Sequence, residues 1–257
     1  MLALLPTDGS DPLVKVGEAP EPPTAPDEAL IRVEAFSVNR GETFLLEHPR
    51  DGWRPGRDVS GRVICAAVNG SGPAAGQRVV GHPPAAGWAQ LAAVPSDALA
   101  VLPDQVDVVE AAALPLAGLT ALRLLRASGA VAGLRVLLTG ASGGVGHYVT
   151  ELASAAGAAV TAVTASPERA ERLLALGAVD VVHSVDDAIG PYDGRVRIGR
   201  WQLAVANAQA AREGRPHDLA RTSEPDAESA RLLRVLRSDR RDDSPFRPRR
   251  FSGPGFA

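Results

Sequence analysis

A chain of 257 residues, 45% hydrophobic and 22% charged with a net charge of −3, suits one large domain or two modest ones and reads as a soluble globular protein. Its single cysteine, Cys65, excludes a disulfide framework or a cysteine-rich zinc site and fits a reducing, cytoplasmic setting. No stretch approaches the roughly 18 to 20 apolar residues of a membrane helix, and MLALLPTDGS lacks the basic start of a signal peptide.

Charge is unevenly spread. Residues 1–194 hold 13 basic against 22 acidic side chains, while residues 195–257 hold 14 arginines against 8 acids. The chain therefore reads as two kinds of sequence joined near Gly194.

Residues 28–40 alternate apolar and polar through Leu30, Ile31, Val33 and Val38, the pattern of a half-buried strand. Short β-prone runs follow at 58–68, 77–82, 88–94 and 99–103, with turn residues such as Asn69-Gly70 and Pro83-Pro84 between them. Such spacing predicts a small antiparallel barrel or sandwich, with Trp53 and Trp88 as core or rim packing. From Val106 the composition turns Ala/Leu-rich, and 106–129 predicts two helices broken at residues 115–118.

A continuous apolar run, LRVLLTG (134–140), then predicts a buried parallel strand. Helices are expected over 147–157 and 166–177, with Ser166 and Pro167 opening the second, and further strands over 158–164 and 178–185. Strand, glycine-rich turn, helix, strand, helix, strand is half of a doubly wound nucleotide-binding fold. The fold class is thus α/β with a β-rich N-terminal part.

The turn itself reads Ala141-Ser142-Gly143-Gly144-Val145-Gly146, a variant of G-x-G-x-x-G with Ala in the first position. Alone the motif is weak, but here it follows a strand and opens a helix. Gly143 would let backbone N–H groups approach a pyrophosphate at the helix N-terminus, and Gly146 would let helix and strand pack tightly. A ligand-free tight turn is the plainer reading. At the end of the next strand an NAD site needs an acid for the ribose 2′-hydroxyl. This chain has Thr164-Ala165-Ser166, with Arg169 close by and Arg172 a turn on. Hydroxyls and a guanidinium accept a 2′-phosphate, which favours NADPH over NADH. Both arginines could equally occupy a solvated helix face.

With these residues in view, the chain resembles the medium-chain dehydrogenase/reductases, in their zinc-independent quinone oxidoreductase and enoyl reductase branch. The resemblance spans roughly residues 1–193. It rests on Ser37-Val38-Asn39, Pro55-Gly56-Arg57-Asp58-Val59-Ser60-Gly61, Gly76-Gln77-Arg78-Val79, Ala111-Ala112-Ala113-Leu114-Pro115, Ala117-Gly118-Leu119-Thr120-Ala121, the glycine-rich turn and Leu176-Gly177-Ala178.

The resemblance implies a GroES-like catalytic domain over 1–117 and a partial Rossmann NADP-binding domain over 118–194, with substrate and nicotinamide in the cleft between them. It also implies that Asn39 and Thr120 face the nicotinamide, that Gly143–Gly146 bind pyrophosphate, and that Ser166 and Arg169 bind the 2′-phosphate. Read without it, Asn39 is a turn-capping side chain and Thr120 a helix-start hydroxyl. Zinc-dependent relatives carry a cysteine near Arg40 and Gly-His-Glu where Gly56-Arg57-Asp58 stands, so no metal is expected. His48 and His82 read as ordinary surface or loop histidines. The implied chemistry is hydride delivery from NADPH to a quinone, an enone or another carbonyl substrate. No proton donor is identified, since Phe44 falls near a position where some relatives place a tyrosine.

After Asp193 the resemblance stops. Residues 195–257 form an arginine-rich tail of disorder-prone composition, as off-frame translation of GC-rich codons would give. The expectation is that the strands holding the nicotinamide half, and the last strand through which the family dimerises, are missing, and that 134–140 is a bare sheet edge. Two alternatives stand beside a reductase: a non-catalytic nucleotide-binding remnant, and an interaction module built on the basic amphipathic stretch 227–237. No nucleic-acid motif or membrane segment supports the latter.

Overall fold

The computed structural model of the chain describes residues 1–198 and the backbone of 203–207. Strands β1 (Leu2–Pro6) and β2 (Val14–Glu18) form an antiparallel hairpin with Leu4 opposite Val16. In β3 (Glu28–Phe36) the alternation places Ala29 and Ile31 in the core.

That strand stops earlier than its pattern suggests. Asn39 adopts an extended conformation and starts helix α1 (Arg40–Glu47), and the carboxylate of Glu42 accepts the Asn39 backbone N–H at 2.9 Å. This helix was not legible as one, because RGETFLLE is too short to show a clear period.

Strands β4 (Val59–Cys65), β5 (Arg78–Gly81), β6 (Leu91–Pro95) and β7 (Leu99–Val101) complete a five-stranded antiparallel sheet in the order β6-β3-β4-β5-β7. Its core is built by Ala29, Ile31, Val59, Val63, Val79, Ala92 and Val94. Trp88 is buried, stacked on Phe36 at 5.6 Å between ring centroids, and donates from Nε1 to the Ser37 carbonyl at 2.9 Å.

Helix α2 (Val108–Ala112) is capped by Asp107, whose carboxylate accepts the N–H groups of Val109 and Glu110. Helix α3 (Pro115–Ser128) follows. The break between them falls at 113–114 rather than at 115–118. Pro115 stands in the first turn of α3, where its missing N–H has no intrahelical acceptor to lose.

The second sheet starts with β8 (Arg135–Thr139), whose Val136, Leu137 and Leu138 are all buried. Helix α4 (Gly144–Ala155), β9 (Ala159–Val163), a 3₁₀ turn (Pro167–Arg169) running into α5 (Ala170–Ala175), and β10 (Asp180–Val182) follow. Helices α3 and α4 bury small residues toward the core: Ala117 and Ala121 on one, Gly146, Val149 and Ala153 on the other. Small side chains at these spacings let two helices approach closely.

The expectation of a bare β8 edge is overturned. Strand β11 (Gly194–Ile198) pairs parallel to β8 with Val196 opposite Leu138, and β12 (Leu203–Asn207) pairs antiparallel to β11. The sheet order is β10-β9-β8-β11-β12. The physical reason is that a strand needs backbone donors and acceptors plus one buried face. In β11 Val196 is buried at 3% exposure while Arg195 and Arg197 point to the exposed side. Asp193 seats the strand, its carboxylate accepting the Arg135 N–H and its own N–H donating to the Arg135 carbonyl, both at 2.9 Å. The amphipathic stretch 227–237, like the rest of the tail from 208 on, lies outside the described residues.

Candidate nucleotide-binding cleft

With β9 on one side of β8 and β11 on the other, the order in which the parallel strands are added reverses at β8. In an open parallel sheet such a switch point is where a crevice opens and ligands bind. Thr139 ends β8 there, with its hydroxyl buried and unpartnered among the described residues. The glycine-rich turn follows at once.

Gly146 is required by the fold, because a Cβ there would collide with the carbonyls of Gly140 and Ala141. Gly143 and Gly144 are different. A Cβ at Gly143 would come no closer than 3.5 Å to the Gly140 carbonyl, and one at Gly144 would lie 3.9 Å from the Ala117 side chain. The protein thus leaves open space where α4 presents its first-turn N–H groups, which no carbonyl of its own helix can reach. Ala141 is fully buried and Val145 packs on the core beneath the turn.

Ser142, Thr164, Ser166 and Arg169 converge beside this turn. Thr164, at the C-terminal end of β9, donates its hydroxyl to Ser142 Oγ at 2.9 Å and accepts the Ser166 N–H at 3.1 Å. Arg169 donates to the Ser142 carbonyl at 3.1 Å, which holds its guanidinium near the turn. No carboxylate takes part in these contacts.

On the antiparallel-sheet side the arrangement hinges on two buried acids. Glu42, 2% exposed, accepts the N–H groups of Gly56 at 2.7 Å and Arg57 at 3.0 Å, so α1 fixes the loop that delivers Asp58. Only glycine serves at 56: φ is +118°, and a Cβ would run into the Gly87–Trp88 backbone. Asp58, 0% exposed, accepts four hydrogen bonds. Ser37 Oγ and Asn39 Nδ2 donate to Oδ2, each at 2.8 Å, while Leu116 N–H and His82 Nδ1 meet Oδ1, each at 3.0 Å. One carboxylate therefore ties β4, the end of β5, the 37–39 segment and the first turn of α3 together.

His82 is thus no ordinary loop histidine. It lies 24 residues from Asp58 in sequence, and the pairing of Val59 with Gly81 brings the two together.

Between these groups lies a cleft of about 310 Å³, lined by Ser37, Val38 and Asn39, by Ala113 and Ala117, by Gly144, His147, Tyr148 and Glu151 of α4, and by Arg172 and Leu176. Burial, reinforced by Arg172 and Arg169, holds the His147 imidazole below its ordinary range. Burial, with Glu151 and Asp58, pushes the Tyr148 phenol up. Tyr148 donates its hydroxyl to the Ala113 carbonyl at 3.3 Å.

Of the residues expected at the site, Asn39 and Gly144 line this cleft, and Ala141, Ser142, Gly143, Val145, Gly146, Thr164, Ser166 and Arg169 cluster at the turn. Thr120 stands outside the lining and inside α3 rather than at a helix start, its hydroxyl donating to the Leu116 carbonyl one turn back at 2.6 Å. Asp58, His82 and His147 were missed. Asp58 sat inside a motif quoted for the resemblance, so a lone acid amid PGRDVSG was the signal available for it.

An antiparallel, GroES-like sheet followed by a Rossmann sheet with its glycine turn is the architecture of the medium-chain dehydrogenase/reductases. No protein-family model matches the chain. It is 34% identical over 152 residues to the chloroplast envelope quinone oxidoreductase homolog of Arabidopsis thaliana, a match covering 53% of this chain and 46% of that one. It is 34% identical over 135 residues to the quinone oxidoreductase of Homo sapiens, covering 50% and 41%. Among solved structures, the quinone oxidoreductase of Thermus thermophilus, described also in its complex with NADPH, superposes with a TM-score of 0.61 at 31% identity, covering 70% of this chain and 59% of that one. The chain is similar to these quinone oxidoreductases in sequence and fold, and its matches span less than half the length of the two curated relatives. Among the described residues, no helix is long and apolar enough to cross a membrane.

Proposed function

We propose that the chain binds NADPH and delivers its hydride to a small quinone, enone or related carbonyl compound, as a zinc-independent quinone reductase or enoyl reductase does. The observation that carries this is the open space in front of Gly143 and Gly144, beside hydroxyls and a guanidinium and without an acid at the end of β9. The NADPH complex of the Thermus relative supports it.

The residues present fit the cofactor. First-turn N–H groups of α4 would take the pyrophosphate, and Ser166 and Arg169 the 2′-phosphate, with Thr164 and Ser142 buttressing them. Bound there, NADPH supplies a hydride from its nicotinamide ring. The chain's own residues bind, orient and exclude water. Asn39, its amide fixed by Asp58, presents a held polar group to the cleft, whereas Thr120 keeps its hydroxyl on the Leu116 carbonyl and would reach the nicotinamide end only by releasing it. In this reading residues 1–117 form the substrate-side domain and 118–194 the cofactor-side domain.

The test is a fluorescence titration of the full chain with NADPH, followed by NADPH oxidation with a quinone or an enone. Binding with turnover supports the proposal. Binding without turnover leaves a nucleotide-binding protein and removes the reductase. Undiminished binding by Gly143→Asp refutes the assignment of the turn.

A further inference from the structure

Nothing in the NADPH reading uses His147. It is the first residue after the glycine motif, lines the cleft, and its Nε2 is buried with no hydrogen-bond partner among the described residues. A buried ring nitrogen left without a partner costs free energy, unless something absent from the bare protein meets it.

The surroundings say what that is. From the segment after β9 come Arg172, lining the same cleft, and Arg169, held at the glycine turn through Ser142. Both lie close enough to act on the imidazole electrostatically. From its own helix come Glu151 and Tyr148, and the opposite wall of Ser37, Val38 and Asn39 has no charged side chain of its own, with Asp58 buried behind it. Arg172 makes no ion pair among the described residues, and Arg169 is bonded to a neutral carbonyl. Two guanidinium groups thus act on an imidazole in the first turns of α4, with Glu151 the one acid lining the same cleft. Such a set suits a multiply charged anion.

We propose that His147 joins Arg169 and Arg172 in binding the phosphates of a dinucleotide, and that it takes up a proton as the ligand binds. The proposal rests on the NADPH reading and adds a residue and a proton linkage to it. In the free protein burial and the two arginines keep the imidazole neutral near pH 7. A phosphate placed among the three groups reverses that balance, since a neighbouring anion favours the charged imidazolium. Binding then draws one proton from solution and tightens as pH falls.

Calorimetric titration of the full chain with NADPH at pH 7, in two buffers of different ionisation enthalpy, reads the proton uptake directly. The expected result is net uptake in the wild type and its loss in both His147→Leu and His147→Gln. Between pH 8 and pH 6 wild-type affinity should rise roughly threefold to tenfold more than that of His147→Gln, the comparison removing the titration of the 2′-phosphate itself. NADPH binding with the same uptake in wild type and both variants overturns the inference and leaves the cofactor assignment standing. Absence of NADPH binding by the wild type overturns both.

Discussion

Replacing Asp58 by alanine removes one carboxylate and strands four donors. Ser37 and Asn39 face the cleft and recover water, and His82 is partly exposed, so their losses are partial. The Leu116 N–H opens the first turn of α3 and has no intrahelical acceptor to replace Asp58. With about 1–3 kcal/mol for each buried donor left unpaired, one of the four losing its full share and the other three part of theirs, the cost comes to about 3–4 kcal/mol. Relief from burying a charge offsets part of what an ionic hydrogen bond would otherwise contribute.

Against a total stability of order 5–15 kcal/mol, that loss lowers the urea midpoint plainly. Asp58→Asn keeps the shape but turns an NH₂ toward two donors on one side, and should fall between Ala and wild type. The decisive readout is the double-mutant cycle with Asn39→Ala. If Asp58 holds Asn39, the two losses overlap and the double variant is more stable than additivity predicts, by more than about 0.5 kcal/mol. Strict additivity, or an Asp58→Ala cost below about 1 kcal/mol, refutes the reasoning.

Other predictions bear on separate parts of the molecule. Gly146→Ala forces a methyl group onto the carbonyls of Gly140 and Ala141 and should destabilise by about 1–3 kcal/mol in urea melts, whereas Gly143→Ala should leave stability near wild type and weaken NADPH binding in a fluorescence titration. Arg169→Ala should narrow the preference for NADPH over NADH about tenfold, one charge-assisted contact's worth, measured as a ratio of dissociation constants. Val196→Asp buries an unpaired charge in the second sheet and should cost several kcal/mol by thermal melting; an unchanged Tm would mean that β11 does not pack on β8. The depressed His147 leaves the unfolded chain binding more protons between its folded value and the ordinary 6.5, so without ligand stability rises with pH across that window. A denaturation series against pH checks this, and His147→Leu should flatten it.

Much of the architecture was legible because period and punctuation agreed. Val136, Leu137 and Leu138 read as a buried parallel strand and are one, and the glycine turn between strand and helix lies where the motif puts it. Legibility failed where information is not local. Asp58, His82 and Leu116 meet across 24 and 58 residues of chain, and nothing in the spacing of PGRDVSG announces that meeting. Strand β11 failed for another reason: GRVRI carries two arginines in five residues, a composition that hides a strand needing only Val196 inside. Helix α1 was lost to the alternation that precedes it, and becomes evident only through Glu42 reaching back to Asn39.

The seating of β11 also sets an order of events. Strands β8 to β10 are joined by short local crossovers, but Asp193 and β11 must return to a partner 58 residues upstream. Loop closure over that span is entropically costly and unrewarded until the first sheet bonds form. Folding kinetics should therefore show β11 docking after the β8–β9–β10 unit, with a low φ-value at Val196, and hydrogen exchange in the native protein should open the β11–β12 side of the sheet first. What a nucleotide at the switch point gains from β11 is thus the least durable wall of its crevice, and a ligand held there would slow the opening.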